Sequence, residues 1–218
     1  MTDAHYHRDG YATFLSLGDR EFRFYGMHPW EAARATRAPY PDGECATKLR
    51  AALAADVHAG VGEIGLDRLK EKTISPAQRT AFAAQLEVAA EFGRPVVLHG
   101  AKCWGEVVAA CRPYAGRIPA FLFHGFSRSE GLLPAIFALN GYVSVGRAIL
   151  NDHAVNYRAL VSRLPHERLL LETDALDDDE PAREATLNAV FGKVAELTGI
   201  SEAQLDANAA GLLGVLAN

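Results

Sequence analysis

The stretch Gly62-Glu63-Ile64-Gly65-Leu66-Asp67 sets a carboxylate between two glycines at the end of an apolar segment that reads as extended. Burying that carboxylate unpaired is very unfavourable, and no Lys or Arg stands in residues 59–64 to neutralise it. The chain must bring either a basic partner or a metal to Glu63, and its histidines point to metal. Asp3-Ala4-His5-Tyr6-His7 alternates, so on a strand His5 and His7 project from one face. Val96-Val97-Leu98-His99 and Phe121-Leu122-Phe123-His124 are apolar runs closing on a histidine, and Leu169-Leu170-Leu171-Glu172-Thr173-Asp174 is an apolar run closing on acid. One histidine at a strand end is more often a hydrogen-bonded structural group. Six such residues in register are another matter. Imidazole and carboxylate ligands without thiolate suit Zn²⁺, Mn²⁺, Fe²⁺ or Mg²⁺, and the share of histidine favours Zn²⁺ or Mn²⁺ over Mg²⁺.

The elements that must position these groups follow from periodicity and turn chemistry. Residues 11–17 and 22–25 read as short strands separated by the Gly18-Asp19 turn, with no room for a helix between them. The second strand leads into Gly26-Met27-His28-Pro29-Trp30. A polar loop at 38–43 precedes a helix over 46–58, with Leu49, Leu53 and Val57 on one face and Gly60 stopping it. The Glu63 strand is followed by a charged loop, 67–73. Ser75-Pro76-Ala77-Gln78 then combines an N-cap serine, a proline at N1 and a glutamine at N3. The helix it starts runs to Phe92, burying Phe82, Leu86 and Ala89, and Gly93 with Pro95 ends it. Further helices are expected over 104–111, 129–139 (with Pro134 in its first turn or at a kink) and 154–164, with strands at 142–145 and 169–174. The last helices start near Pro181 and Ser201, the first carrying a stripe of Leu187, Val190, Phe191, Val194 and Leu197.

Strands alternating with helices argue for a parallel sheet, and runs apolar on both faces argue that helices cover it. Glu63, His99, His124 and Asp174, each ending a separate strand, gather at the C-terminal rim, where α/β barrels carry their chemistry. With 218 residues, 49% of them hydrophobic, the chain is expected to form one domain over residues 1–218. Cys45, Cys103 and Cys111 are odd in number and form no C-x-x-C pair, which suits a reduced, cytoplasmic interior. No signal peptide and no membrane-length apolar run is read. A net charge of −5 and a pI near 5.9 argue against tight nucleic-acid binding through the whole-molecule field.

In order, the segments D-A-H-Y-H, G-M-H-P-W, V-G-E-I-G-L-D, P-V-V-L-H, F-H-G-F-S and L-L-E-T-D resemble the TatD family of metal-dependent hydrolases, over nearly the whole chain. The resemblance implies a TIM-barrel-like (β/α)₈ fold and two divalent metal ions. One would be bound by His5, His7 and Asp174, the other by His99 and His124, with Glu63 bridging. The passage from His7 to His28 through strands alone departs from typical members, which have two βα units there. The barrel is expected to be abbreviated in its first units, as in a short subgroup.

Two ions about 3.5 to 4 Å apart can bind one water between them, lower its pKa toward neutrality and stabilise charge on an attacked ester, which makes hydroxide the nucleophile. Asp174 is placed to accept the proton or orient the water, while Glu172 and His28 are supporting groups whose plainer readings are a buried salt bridge and a packed turn. Lys102, Arg128 and Arg147 follow strand ends and would meet an anionic substrate, although loop cations are usually solvated. Three functions are compatible with this. The resemblance implies a phosphodiesterase or deoxyribonuclease of exonuclease type, acting on short or single-stranded nucleic-acid ends; no membrane association and no obligate protein partner are expected from the sequence. The same hydroxide would serve a carboxylic ester or amide hydrolase, of lactonase or aminoacyl-tRNA deacylase type. A non-catalytic binding module fits an intact ligand set least.

Overall fold

The computed structural model describes residues 1–8, 12–34, 44–70, 72–127, 129–176 and 179–216. Tyr11, the 38–43 loop and Arg128 fall outside these residues. Eight strands form one sheet in sequence order: β1 (Asp3–Arg8), β2 (Ala12–Leu17), β3 (Arg20–Tyr25), β4 (Gly60–Asp67), β5 (Val96–Ala101), β6 (Phe121–Phe123), β7 (Gly141–Val145) and β8 (Leu169–Leu171). From β3 to β8 every pairing is parallel. The first two pairings are antiparallel, and for β2 with β3 the reason is the short turn at Gly18-Asp19, which can only return the chain as a hairpin. The seam between β1 and β8 is bridged just past the end of β8. There the Asp174 amide donates to the His5 carbonyl at 3.0 Å, and the His7 amide to that of Ala175 at 2.8 Å. The sheet is thereby a nearly closed barrel.

The helices are α1 (Pro29–Arg34), α2 (Glu44–Ala55), α3 (Pro76–Phe92), α4 (Trp104–Cys111), α5 (Leu133–Ala138), α6 (Val155–Val161), α7 (Glu180–Thr198) and α8 (Glu202–Leu213). They divide the core into two layers. Val96, Leu98, Phe121, Phe123, Leu169 and Leu171 pack outward against the helices, whereas Val97, Leu122 and Leu170 point into the lumen with Leu15, Phe22 and Phe24. Ala209, Leu212 and Leu213 of α8 fill the same inner cluster. Since side chains alternate along a strand, the residues two beyond the lumen-facing ones, His99, His124 and Glu172, face inward as well.

Several expected boundaries shift. The helix over 46–58 ends at Ala55, so Val57 leaves the stripe and is 60% exposed. The helix over 129–139 is a 3₁₀ turn followed by α5, with Pro134 in the first turn of α5. The last strand stops at Leu171, and Glu172 to Asp174 follow as irregular backbone. Helix α1 supplies an element where none was expected. In α3, Ser75 caps the start by accepting from the Gln78 amide at 3.2 Å, as expected. The Gln78 side chain does not complete a capping box. It instead clamps the Asp67 backbone, accepting from its amide at 2.9 Å and donating to its carbonyl at 3.2 Å. Gln85, two turns on, clamps Met27 in the same way at 2.6 and 3.2 Å.

Candidate metal centre

Glu63 is the hub. The ladder between β4 and β5 shifts register between Val61 and Ile64, and such an irregularity re-aims side chains. Val61 and Ile64 pack outward while Glu63, 4% exposed, turns into the lumen. Its Oε1 faces His99 Nδ1 at 2.5 Å, His124 Nε2 at 2.7 Å and His28 Nε2 at 3.6 Å. The other oxygen, Oε2, faces His5 Nε2 at 3.3 Å and His7 Nε2 at 3.5 Å. Asp174 Oδ1 meets the same two imidazoles at 3.6 and 3.5 Å. All six sequence-selected residues thus converge. Glu63 reaches them from within β4 rather than from its end, and His99 from within β5.

A second ring of groups orients the first. His99 Nε2 lies 2.9 Å from Asp67 Oδ2, leaving Nδ1 to face Glu63, and the Trp30 indole donates to the same Asp67 oxygen at 2.8 Å. His124 Nδ1 lies 3.7 Å from Glu172 Oε1, and the Ser144 hydroxyl donates to the other Glu172 oxygen. The His28 ring packs edge-on against both Trp30 and His99, with centroids 4.7 Å apart in each case. Asp3, wholly buried, accepts from the Thr173 amide at 3.0 Å and its hydroxyl at 2.7 Å, beside Arg183 at 3.8 Å. It anchors the turn that carries Asp174, whose own φ is 50°. Burial pushes the Asp3 carboxyl up to about 7, against its bonds to Thr173 and the charge of Arg183. Asp67, Trp30 and Asp3 were not singled out by sequence reasoning. Asp67 reads as the first residue of a charged loop, and its only signal is its place two positions after Gly65, on the parity of Glu63.

The electrostatics follow from this crowding. Burial opposes charge on Glu63, but the charges of His124 and His99 and hydrogen bonds from His124 and His28 outweigh it, holding the carboxyl well below its usual range. Burial likewise opposes charge on His124, yet the negative charges of Glu63 and Glu172 and the bond to Glu63 hold the imidazole well above 6.5. His99 is also raised, through the Glu63 charge and the Asp67 bond, which overcome its burial. His5 and His28 move the other way, mainly through burial, with repulsion from His124 adding to His5. At Asp174 burial is outweighed by the bond from His7 and the charges of His124 and His5, and the carboxyl is lowered.

The donor set fits divalent cations. Both ring nitrogens of His5 are buried without a hydrogen bond, and His124 Nε2 lies 3.4 Å from His99 Nδ1, both aimed at one carboxylate oxygen. Imidazole nitrogens converge in this way where a cation can share them. Three sets of side chains bring ligand atoms within 4.8 Å of one another: His5, His7 and Asp174; His5, Glu63 and His124; and His28, Glu63 and His99. A cavity of about 640 Å³ opens beside the cluster, reaching His99, His124 and Asp174 and walled by Leu69, Lys102 and Trp104. Asp174 shows it a half-exposed carboxylate. Lys102 is exposed on its wall, while Arg147, in the turn after β7, is exposed outside its lining.

Fold and cluster together define the class of α/β barrels that carry histidines and carboxylates in the mouth of the barrel. Within that class the chain belongs to the family described as TatD related DNase, whose sequence profile matches residues 3–211. It is 35% identical over 151 residues to a protein of Edwardsiella piscicida named 3'-5' ssDNA/RNA exonuclease TatD, a match covering 69% of this chain and 56% of that one. It is 32% identical over 173 residues to the protein of the same name from Klebsiella pneumoniae, covering 72% and 66%. The chain therefore spans little more than half the length of the first of these relatives. Among solved structures, YJJV, a TatD homolog from Escherichia coli, superposes with a TM-score of 0.70 at 24% identity, covering 89% of this chain and 76% of that one. A TatD family hydrolase from Entamoeba histolytica gives 0.69 at 15%, covering 87% and 73%.

Proposed function

We propose that the chain is a metal-dependent phosphodiesterase that removes nucleotides from the ends of short or single-stranded nucleic acid. The observation that carries this reading is the division of Glu63, with one oxygen turned to His5 and His7 and the other to His99 and His124. In this reading His5, His7 and Asp174 would hold one divalent ion and His99 and His124 a second, with Glu63 turned toward both groups of imidazoles. The share of imidazole favours Zn²⁺ or Mn²⁺ over Mg²⁺, with Fe²⁺ also compatible. Bound ions supply a water acidified toward neutrality and positive charge opposite a phosphate oxygen. Asp174, half exposed to the cavity, accepts the proton of the attacking water. Asp67, 2.9 Å from His99 Nε2, would fix the tautomer of His99 and leave its Nδ1 lone pair for an ion, while Glu172 lies 3.7 Å from His124 Nδ1 as a neighbouring negative charge. Lys102 meets the phosphate from the cavity wall, and Arg128 and Arg147 meet a longer strand. The names of the relatives support nucleic acid as the substrate.

Among the described residues no helix is long and apolar enough to cross a membrane. A cytoplasmic location, without an obligate protein partner, is part of the same reading. The test follows end-labelled single strands, duplexes and closed circles with Mg²⁺, Mn²⁺ and Zn²⁺. Progressive shortening of single strands is expected. If no strand is cut while the same preparation hydrolyses a carboxylic ester or amide, the assignment moves to an acyl hydrolase, and rapid cutting of closed circles contradicts action at ends.

A further inference from the structure

A second cavity, of about 790 Å³, lies against the N-terminal end of α6 and shares Ser127 and Ser129 with the cavity at the candidate metal centre. The two cavities therefore adjoin at these serines. Its polar lining includes His153, Asn156 and Asn151, whose Oδ1 already accepts from the His153 amide at 2.9 Å, and its apolar lining includes Val155 and the largely buried Tyr157. No Lys or Arg lines it among the described residues. The carboxylate there, Glu130, is held by Arg163 through two bonds of 2.8 and 3.1 Å. The described side chains thus offer a ligand amide, imidazole and hydroxyl groups rather than a free charge. Amide and imidazole edges beside apolar faces match a flat, uncharged ring with donors and acceptors on its rim, which describes an unpaired nucleobase. Val155, 68% exposed, is an apolar side chain with no core to join and a cavity to face.

We infer that this cavity is a base-binding subsite that takes the nucleobase following the one at the metal centre, and that it admits the base only when unpaired. The inference rests on the phosphodiesterase reading and adds the source of its preference for single strands. A base engaged in a duplex has its donor and acceptor edge occupied by its partner, so it cannot present that edge to Asn151, His153 and Asn156.

The experiment compares bis(p-nitrophenyl) phosphate with oligothymidylates of two, three and four nucleotides in Mn²⁺. Binding of a fluorescein-labelled tetranucleotide to the metal-free protein is followed by anisotropy. One added nucleotide is expected to raise kcat/KM by about tenfold, the order of one stacked base. In the double variant Asn156→Ala with His153→Ala that ratio falls toward one and tetranucleotide binding weakens by about the same factor. Val155→Glu, which sets a carboxylate against the strand, is expected to do the same at a second exposed position, and thermal melts show whether each variant folds. Cleavage of the chromogenic ester without a step in chain length, or a step that the variants retain, overturns the subsite alone. Failure to cleave either class of substrate overturns the phosphodiesterase reading and the subsite with it.

Discussion

Glu63 governs the charge of the centre, because every imidazole of the cluster faces one of its two oxygens. Glu63→Gln keeps the shape but turns an amide NH₂ toward nitrogens that need an acceptor. Activity is expected to fall by roughly 10³-fold or more, whereas Lys102→Ala removes one charge-assisted contact worth about 1.5 to 3 kcal/mol. Steady-state kinetics on one substrate gives the comparison, and equal losses would contradict the hub role. Protons and metal compete for the same nitrogens. His99 and His124 hold their protons above 6.5, so cation affinity is expected to keep rising with pH beyond that value, with proton release on binding. Calorimetry in buffers of different ionisation enthalpy measures both, and affinity flat from pH 6 to 8 would contradict the sign. The six converging residues were legible because each follows an apolar run or an H-x-H alternation. Asp67 and Asp3 were not, because a carboxylate that orients a ligand carries no pattern of its own until the strands are in register.

Element β4 depends on Gly65, whose φ of 151° suits glycine and where an added Cβ would lie 2.0 Å from the His99 carbonyl oxygen. That oxygen belongs to the backbone of β5 and cannot swing aside. Gly65→Ala is expected to cost about 3 kcal/mol or more and to spread β4 from β5 at the candidate site. Gly105→Ala is the control: it lies in the first turn of α4 with nothing within 4 Å of its added Cβ, and is expected to gain about 0.4 kcal/mol. Urea melts separate the two, and similar midpoints would contradict the close approach. Helix α3 was legible nearly to the residue, since Ser75, Pro76 and Gly93 punctuate it. The end of β8 was not. Leu169 to Asp174 reads as one strand, yet Asp3 and the β1 backbone capture Thr173 and Asp174 and turn them out of the ladder. The reversal in β2 and β3 was half visible: the missing helices showed, and the hairpin direction came from the turn.

At the scale of the whole molecule, the barrel gathers the cluster because six parallel strands, from β3 to β8, run toward one rim. That much was legible from strand ends alone, whereas the second cavity depends on loops whose approach no periodicity encodes. A chain of net charge −5 grips few phosphates away from its centre. Affinity for a short single strand is expected to fall only shallowly with salt, with a log–log slope of about −1 to −2. Anisotropy across a salt series reads that slope, and a steep one would require an extended basic track. The central claim is that one carboxylate joins two divalent ions. Loading the protein with Mn²⁺, counting bound ions and recording the electron paramagnetic resonance spectrum test it most directly. Two ions per chain with a magnetically coupled signal, lost in Glu63→Gln, are predicted; a fully loaded protein that holds no ion, or ions that remain magnetically isolated, would contradict it.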